Sequence, residues 1–357
     1  MRYGPLTRPR PHANTNDVVF GQEIRVKDGV IACIGSNLPS SPSTTVIDAK
    51  GGYITPGGDS DTWETGTRSA VCGRTTTVLA FAVQQKADKS IVSLVNDYST
   101  RAGGNAACDY GFHIIFVKLY MTYEAMKVDD RGILDVLIAT RKLGITTMIH
   151  AENHDMVSLI TETLERDGQT DPYFHAVSRP KIAEDEASYR AIALSKLMDA
   201  PILLVHVSSE TTASHIRHAQ SQLLPVYGET CPQFNASGGK RLGLVNGIPK
   251  FGKIPNGLPG LETRQRLLFK GVLEGKITIQ DFVRVSCTNP DQLYGLPSKG
   301  VIFPGKDADL CIWYPKGEMQ PLQLTNAMLH HNIDYSPFEG MTFYNWPRYT
   351  ILRGKVV

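Results

Sequence analysis

Cysteine is scarce: six in 357 residues, at Cys33, Cys72, Cys108, Cys231, Cys287 and Cys311. No two form a C-x-x-C pair, which argues against a zinc ribbon or a small disulfide scaffold. They read as small buried hydrophobes of a reducing compartment. An excess of charge of either sign is also missing. The formal net charge is +2, which gives no electrostatic case for nucleic acid or an anionic membrane. No window approaches the ~18 uninterrupted apolar residues of a membrane span. The first fifteen residues, MRYGPLTRPRPHANT, are basic with three prolines and lack a signal peptide's apolar run of ~7–15 residues. The expectation is a cytoplasmic protein with neither nucleic-acid nor membrane partners. Nucleotide and serine-hydrolase signatures are absent too. No G-x-G-x-x-G follows a strand, and there is no Walker A and no G-x-S-x-G elbow. Finally, no histidine stands between His12 and His113.

What is present is strongly patterned. Glu23–Val26 alternates, Lys27-Asp28-Gly29 supplies a turn, and Val30–Ile34 follows. An Asp-Gly between apolar runs predicts a hairpin. Near the other end Val301–Phe303, Ala308–Trp313 and Tyr349–Val357 are strand-like. Two β-rich ends predict one small β-sandwich built from both termini around an inserted centre.

The centre alternates strand and helix. Thr75–Ala82 reads as a buried strand, Lys86–Arg101 as a helix, Thr146–Ala151 as a strand and Asn153–Arg166 as a helix. Glu184–Met198 is predicted helical, Pro201–Val207 extended and Glu210–Gln220 helical. Such repetition predicts right-handed crossovers and a parallel sheet, either a (β/α) barrel or a doubly wound sheet. Tyr110–Tyr123 is anomalous: fourteen strand-prone residues without a turn signal. It reads as two strands joined without the crossover of a dozen or more residues that parallel pairing needs.

Three polar residues occupy or end apolar strands: Lys118 in FVKLYM, His150 in TMIHA and His206 in LLVHV. Catalytic groups of barrels gather at the carboxyl ends of strands. A lysine inside an apolar strand is costly unless paired or modified, and neutral imidazoles are common zinc ligands. Taken singly, each histidine also fits a satisfied core residue and Lys118 an edge lysine. His154 and the pair His330-His331 read as structural and surface residues, and 253–260 (KIPNGLPG) as a rigid turn cluster.

Several stretches together resemble the dihydropyrimidinase/hydantoinase branch of the amidohydrolase superfamily. They are ITPGG (54–58), DTWETGTRSAVCGRTTTVLAFA (61–82), VKLYMTYEAM (117–126), MIHAEN (148–153), LLVHVSS (203–209), YGETCPQ (227–233), KIPNGLPGLETR (253–264), TNPDQLYGL (288–296), KGVIFPGKDADLCIWYP (299–315) and HHNIDYSPFEGM (330–341). The resemblance implies an α/β chain, a (β/α)8 TIM barrel with a β-sandwich from both termini. Divided on that pattern, 1–17 is an atypical extension. Segments 18–52 and 297–357 form the composite β-sandwich, and 53–296 an incomplete barrel.

The resemblance also implies roles. Lys118 matches the lysine that is carboxylated to bridge two zinc ions, and His150 and His206 match histidines of one metal. Tyr123 matches the catalytic tyrosine that binds the substrate carbonyl and steadies the developing oxyanion. Asn256 matches the asparagine contacting the ring amide. The implied reaction is hydrolytic opening of the cyclic amide of a dihydropyrimidine or hydantoin by zinc-activated hydroxide, as in pyrimidine catabolism. The implied assembly is a homo-oligomer, a tetramer by resemblance.

The chain departs from that pattern in three places. The H-x-H expected after the Gly57-Gly58 turn is absent, as is the S-D-H carrying a catalytic aspartate. The third departure is the missing crossover between Ile115 and Phe116. Such a chain is expected to hold at most one weak zinc instead of two, to turn over poorly and to expose sheet edges. The alternatives are a non-catalytic dihydropyrimidinase-related binding or assembly protein, and a one-metal deacetylase-like hydrolase using His150 and His206.

Overall fold

Asp28 and Gly29 both take positive φ, 52° and 84°, the turn that matches the twist of two antiparallel strands. They join Phe20–Lys27 to Val30–Gly35 with Lys27 opposite Val30, so the predicted hairpin forms. In this computed structural model the described residues are 2–7, 20–36, 38, 44–47, 54–55, 63–81, 90–112, 116–232, 257, 259–314, 317–333 and 335–357. Asn256, most of the 253–260 turn cluster and the 56–62 segment, where the H-x-H is expected, lie outside them, as does most of 1–17.

The chain divides into two compact units: residues 1–112 with 259–357, and residues 113–258. In the first unit, a four-stranded sheet contains the hairpin together with Arg2–Thr7 and Val46–Ile47. A second four-stranded sheet contains Ile54–Thr55, Leu310–Trp313, Pro347–Leu352 and Lys355–Val356. Ile24 and Ile31 of the first sheet share one buried cluster with Leu310, Ile312 and Ile351 of the second. Strands from both ends of the chain therefore close a common apolar core.

Two sequence expectations are corrected here. Val301–Phe303 is not a strand; Ile302 instead packs on that core from irregular chain. Tyr349–Val357 is not one continuous extension, because Arg353 and Gly354 adopt φ of 44° and 80° and fold it into a hairpin. The same unit contains the parallel pair Thr77–Ala80 and Asp109–Phe112. The helix predicted from Lys86 begins at Ile91 and ends at Ala102, with Ser90 capping Ser93 N–H. Residues 82–89 are outside the described set. A further core stacks Trp313 on Phe269, with ring centroids 4.1 Å apart, and sets Phe282 edge-on to both.

The second unit is a four-stranded parallel sheet in the order Val226–Gly228, Ile202–Leu204, Thr146–His150, Phe116–Tyr120. Helices Asp130–Leu143, His154–Arg166, Lys181–Met198 and Glu210–Ser221 connect the strands. Each predicted central element appears, with boundaries moved by a few residues. The strands are almost wholly apolar, and Ile149, Ile202 and Leu204 are fully buried with Ile133 and Leu137 of the first helix. That is the pattern of a sheet covered by helices. The anomalous stretch 110–123 does contain two strands. Its halves, Asp109–Phe112 and Phe116–Tyr120, belong to different sheets. No helix of the described chain is long and apolar enough to cross a membrane.

Candidate active site

Parallel strands bring their carboxyl ends to one side, and here three of the four ends pass into a capped helix. His150 closes its strand, and three residues on Asn153 accepts the Met156 N–H at 3.1 Å. His206 follows Leu204, and Ser209 accepts the Thr211 N–H at 3.2 Å. The four-residue motifs HAEN and HVSS thus place a polar side chain at or just past a strand end and a helix cap three residues on. Asp129 plays the same capping part for the helix after Phe116–Tyr120, accepting the Gly132 N–H at 2.8 Å.

Register fixes which residues meet. Tyr120 stands opposite His150, and Ile149 opposite Leu204. His206 has φ 44° and Tyr123 φ 67°, in the left-handed region rarely used by bulky residues. The Tyr123 carbonyl accepts the N–H groups of Met126 and Lys127 at 2.8 Å, which holds that turn. The rings of His150 and His206 meet edge-on with centroids 4.5 Å apart. Tyr123 lies 5.1 Å from His150 and Tyr120 5.5 Å. The Lys118 Nζ lies 5.4 Å from the centre of the Tyr120 ring. Lys118, Tyr123, His150 and His206 therefore gather at one end of one sheet.

Two further residues, not singled out from the sequence, complete the cluster. Glu152 Oε2 lies 2.7 Å from His150 Nε2 and accepts the Arg179 Nη1 hydrogen bond at 2.9 Å. Arg179 also sits 5.5 Å from the Tyr123 ring centre. Glu152 had a local signal, two residues from His150 on a strand end. Arg179 had none, because it comes from a turn 27 residues away. His154 is satisfied locally, 2.9 Å from Glu124 Oε2 and 3.3 Å from Ser158 Oγ, which agrees with a structural reading.

Burial sets the electrostatics. It lowers His206 to about 4, and the neighbouring charges of His150 and Lys118 push the same way, so this imidazole is neutral at physiological pH. Burial also lowers Lys118 below the usual lysine range, while Glu229 and Cys231 oppose the shift. Burial raises the Tyr123 hydroxyl, against the pull of Arg179. For Glu152 burial acts upward, but bonding to His150 and the charge of Arg179 win and hold it below the usual carboxylate range.

These donors suit a metal in kind. Imidazole nitrogens ligate zinc when neutral, as burial keeps His206, and the downward pull of burial on Lys118 favours the free amine that carboxylation needs. In number they fall short of two ions. Among the described residues no third His, Cys, Asp or Glu joins His150 and His206 in a ligand-sized group.

Residues 260–357 match the amidohydrolase family profile. The D-hydantoinase of Rhizobium radiobacter is 31% identical, over 96% of this chain and 93% of that protein. The D-hydantoinase of Geobacillus stearothermophilus is 32% identical, over 95% and 90%. The crystal structure of dihydropyrimidinase from Brevibacillus agri covers 100% of this chain and 94% of its own, with a TM-score of 0.87 and 30% identity. A D-hydantoinase structure gives a TM-score of 0.89 at 28% identity, and these neighbours imply the amidohydrolase barrel fold. The Rhizobium alignment runs over 429 positions against 357 residues here. It therefore opens gaps in this chain, in keeping with absent internal segments. The chain belongs to the D-hydantoinase and dihydropyrimidinase family of amidohydrolases, and by family it is a cyclic amidohydrolase.

Proposed function

We propose that this chain opens the cyclic amide bond of a dihydropyrimidine or hydantoin by hydrolysis, at the cluster of Lys118, Tyr123, His150 and His206, with reduced turnover. The convergence of these four side chains, with the two imidazoles 4.5 Å apart, carries the reading. His150, His206 and Lys118 as its carbamate would hold one zinc ion. When bound, zinc supplies Lewis acidity toward water and the amide carbonyl. Tyr123 keeps its proton and donates it in a hydrogen bond to the carbonyl oxygen, where negative charge develops. Arg179, held by Glu152, keeps the tyrosine ring in place. Asn256 would contact the ring amide.

The missing H-x-H and aspartate remove the second ion's ligands and the base that shuttles the proton. We assign the reduced turnover to that loss. Segments 18–52 and 297–357 form the composite β-sandwich and 53–296 the incomplete barrel in this reading, which the core shared by Ile24, Ile31, Leu310, Ile312 and Ile351 supports. The assembly is a homo-oligomer. A purely non-catalytic role is not favoured, since the relatives reported above are hydantoinases and a dihydropyrimidinase.

The test combines zinc content with hydrolysis of dihydrouracil and hydantoin. The expected result is at most one zinc per chain and slow turnover that falls when Lys118 is replaced by Ala. Two zinc ions with rapid turnover would overturn the impairment. Zinc content unchanged by Lys118→Ala would overturn the lysine's role, and zinc-loaded protein inert toward both rings would overturn the activity.

A further inference from the structure

A second polar site lies in the unit formed by 1–112 and 259–357. A cavity of about 410 Å³ is lined by Arg74, Arg266, Arg348, Glu262, His330 and Trp346, among others. Arg266 is 2% exposed, and its guanidinium lies 3.2 Å from the centre of the Trp346 ring. It donates from Nη2 to the Cys72 carbonyl at 2.7 Å, but its Nε and Nη1 are buried without a hydrogen-bond partner. The nearest carboxylate oxygen to Nη1, on Glu262, is 3.6 Å away, beyond a good bond. Arg74 Nε and Arg348 Nη1 are likewise buried and unbonded.

The one acidic side chain lining the cavity, Glu262, is already engaged. Glu262 Oε2 accepts the His330 N–H at 2.8 Å, and the His330 ring Nδ1 stands 3.1 Å from Oε1. Three guanidinium groups therefore line a cavity whose one acidic side chain is already bonded to His330, while Arg74 Nη2 donates to the Pro347 carbonyl at 2.8 Å. A buried guanidinium nitrogen without an acceptor is expensive. Guanidinium forks recognise carboxylate and phosphate oxygens better than any other group. Cys72, Glu262 and His330 also bring ligand atoms within 4.8 Å of one another. A cation there would face three guanidinium groups, so the local field favours an anion.

We propose that this cavity binds a small oxyanion, a carboxylate or phosphate, which accepts hydrogen bonds from Arg266 and Arg348 and lies near Arg74. The site is independent of the histidine cluster and does not rest on the hydrolase reading. Burial lowers Arg266 to about 9 against the charge of Glu262, a cost that a bound anion would offset.

The test titrates the full chain with inorganic phosphate and, separately, acetate, using chloride at matched ionic strength as control. Two readouts are followed: the thermal midpoint and Trp fluorescence, with Trp346→Phe identifying the signal. The expected result is a saturable midpoint rise with phosphate, acetate or both, and a fluorescence change with the same half-saturation that is lost in Trp346→Phe. Arg348→Gln, at a half-buried position, should fold and weaken that binding at least tenfold. The anion that saturates at lower concentration identifies the source. Phosphate and acetate acting no differently from chloride would overturn the proposal. So would undiminished binding in a folded Arg348→Gln variant, or stabilisation by zinc alone.

Discussion

The Lys299 Nζ lies 2.6 Å from Asp309 Oδ2. The same ammonium reaches Asp109 and Asp307, each at 3.0 Å. Asp309 is 5% exposed in its side chain and Lys299 only 13%. One ammonium thus bridges three carboxylates, while Arg353 brings its guanidinium to Asp109 at 2.5 Å and its backbone N–H to Asp309 at 2.8 Å. The three aspartates are close enough to suggest a metal group, but the lysine already occupies the place of the cation.

Replacing Lys299 by Met should cost about 3–5 kcal/mol, because three carboxylates would be left together with only the Arg353 guanidinium, on Asp109, to offset them. Urea unfolding measures it, and a loss below about 1 kcal/mol would sink the idea. The pH dependence has a definite sign. Burial acts to lower the lysine, but the aspartates, Asp309 foremost, win and raise it. A folded value above the unfolded one means the contribution is complete below the ordinary lysine value of about 10.4. The gap between wild type and Lys299→Met should therefore hold steady from neutrality toward about pH 10 and close only in stronger alkali.

Tyr123→Phe removes a hydroxyl and little else. Turnover of a cyclic amide should fall by about 10²–10³, the usual loss of one oxyanion donor. Zinc content and melting temperature should stay unchanged. Retained turnover, measured alongside metal content, would assign the oxyanion to another group.

Glu152 ties His150 to Arg179, and Glu152→Ala should cost about 1–3 kcal/mol by leaving both without their bond. Arg179→Ala should be similarly costly, and the double variant less costly than the sum. Strictly additive losses in urea would show that the bridge contributes nothing as a unit.

Gly300 takes φ +74°, and a Cβ there would come 2.3 Å from Asp291 Cβ and 2.9 Å from the Cys287 carbonyl oxygen. Gly300→Ala is expected to lose at least about 1–3 kcal/mol, since backbone strain and a backbone clash combine. A melting temperature equal to wild type would contradict the geometry.

The metal-type residues were legible because their signals are local. Lys118, His150 and His206 are polar residues in or at the ends of apolar strands, and each strand leads into a helix whose cap follows within the same motif or a few residues on. Asp28-Gly29 was legible for the same reason, as a turn written in two residues. The remaining polar chemistry depends on chain distance. Asp109 and Lys299 are 190 residues apart, and Cys72 and Arg266 are 194 apart. No window of sequence contains either pair. His330 shows the intermediate case: its ring is partly exposed as a surface reading expects, yet both its Nδ1 and its backbone N–H meet buried Glu262. Val301–Phe303 shows the opposite failure. Its apolar run is real, but it stays irregular chain, with Ile302 packed on the core and Phe303 exposed.

The two units differ in how synthesis reaches them. Residues 113–258 are contiguous, so their parallel sheet can close as soon as that segment has left the ribosome. The other unit joins 1–112 to 259–357, and its N-terminal strands must wait for Leu310–Trp313 and Pro347–Leu352 to be made. Chains emerge at about 5–20 residues per second. The first hairpin therefore spends some tens of seconds, roughly 15–60 s at that rate, with Ile24 and Ile31 uncovered before their partners exist. A chaperone that holds nascent chains should find its binding site there, and slowed translation should lengthen its stay.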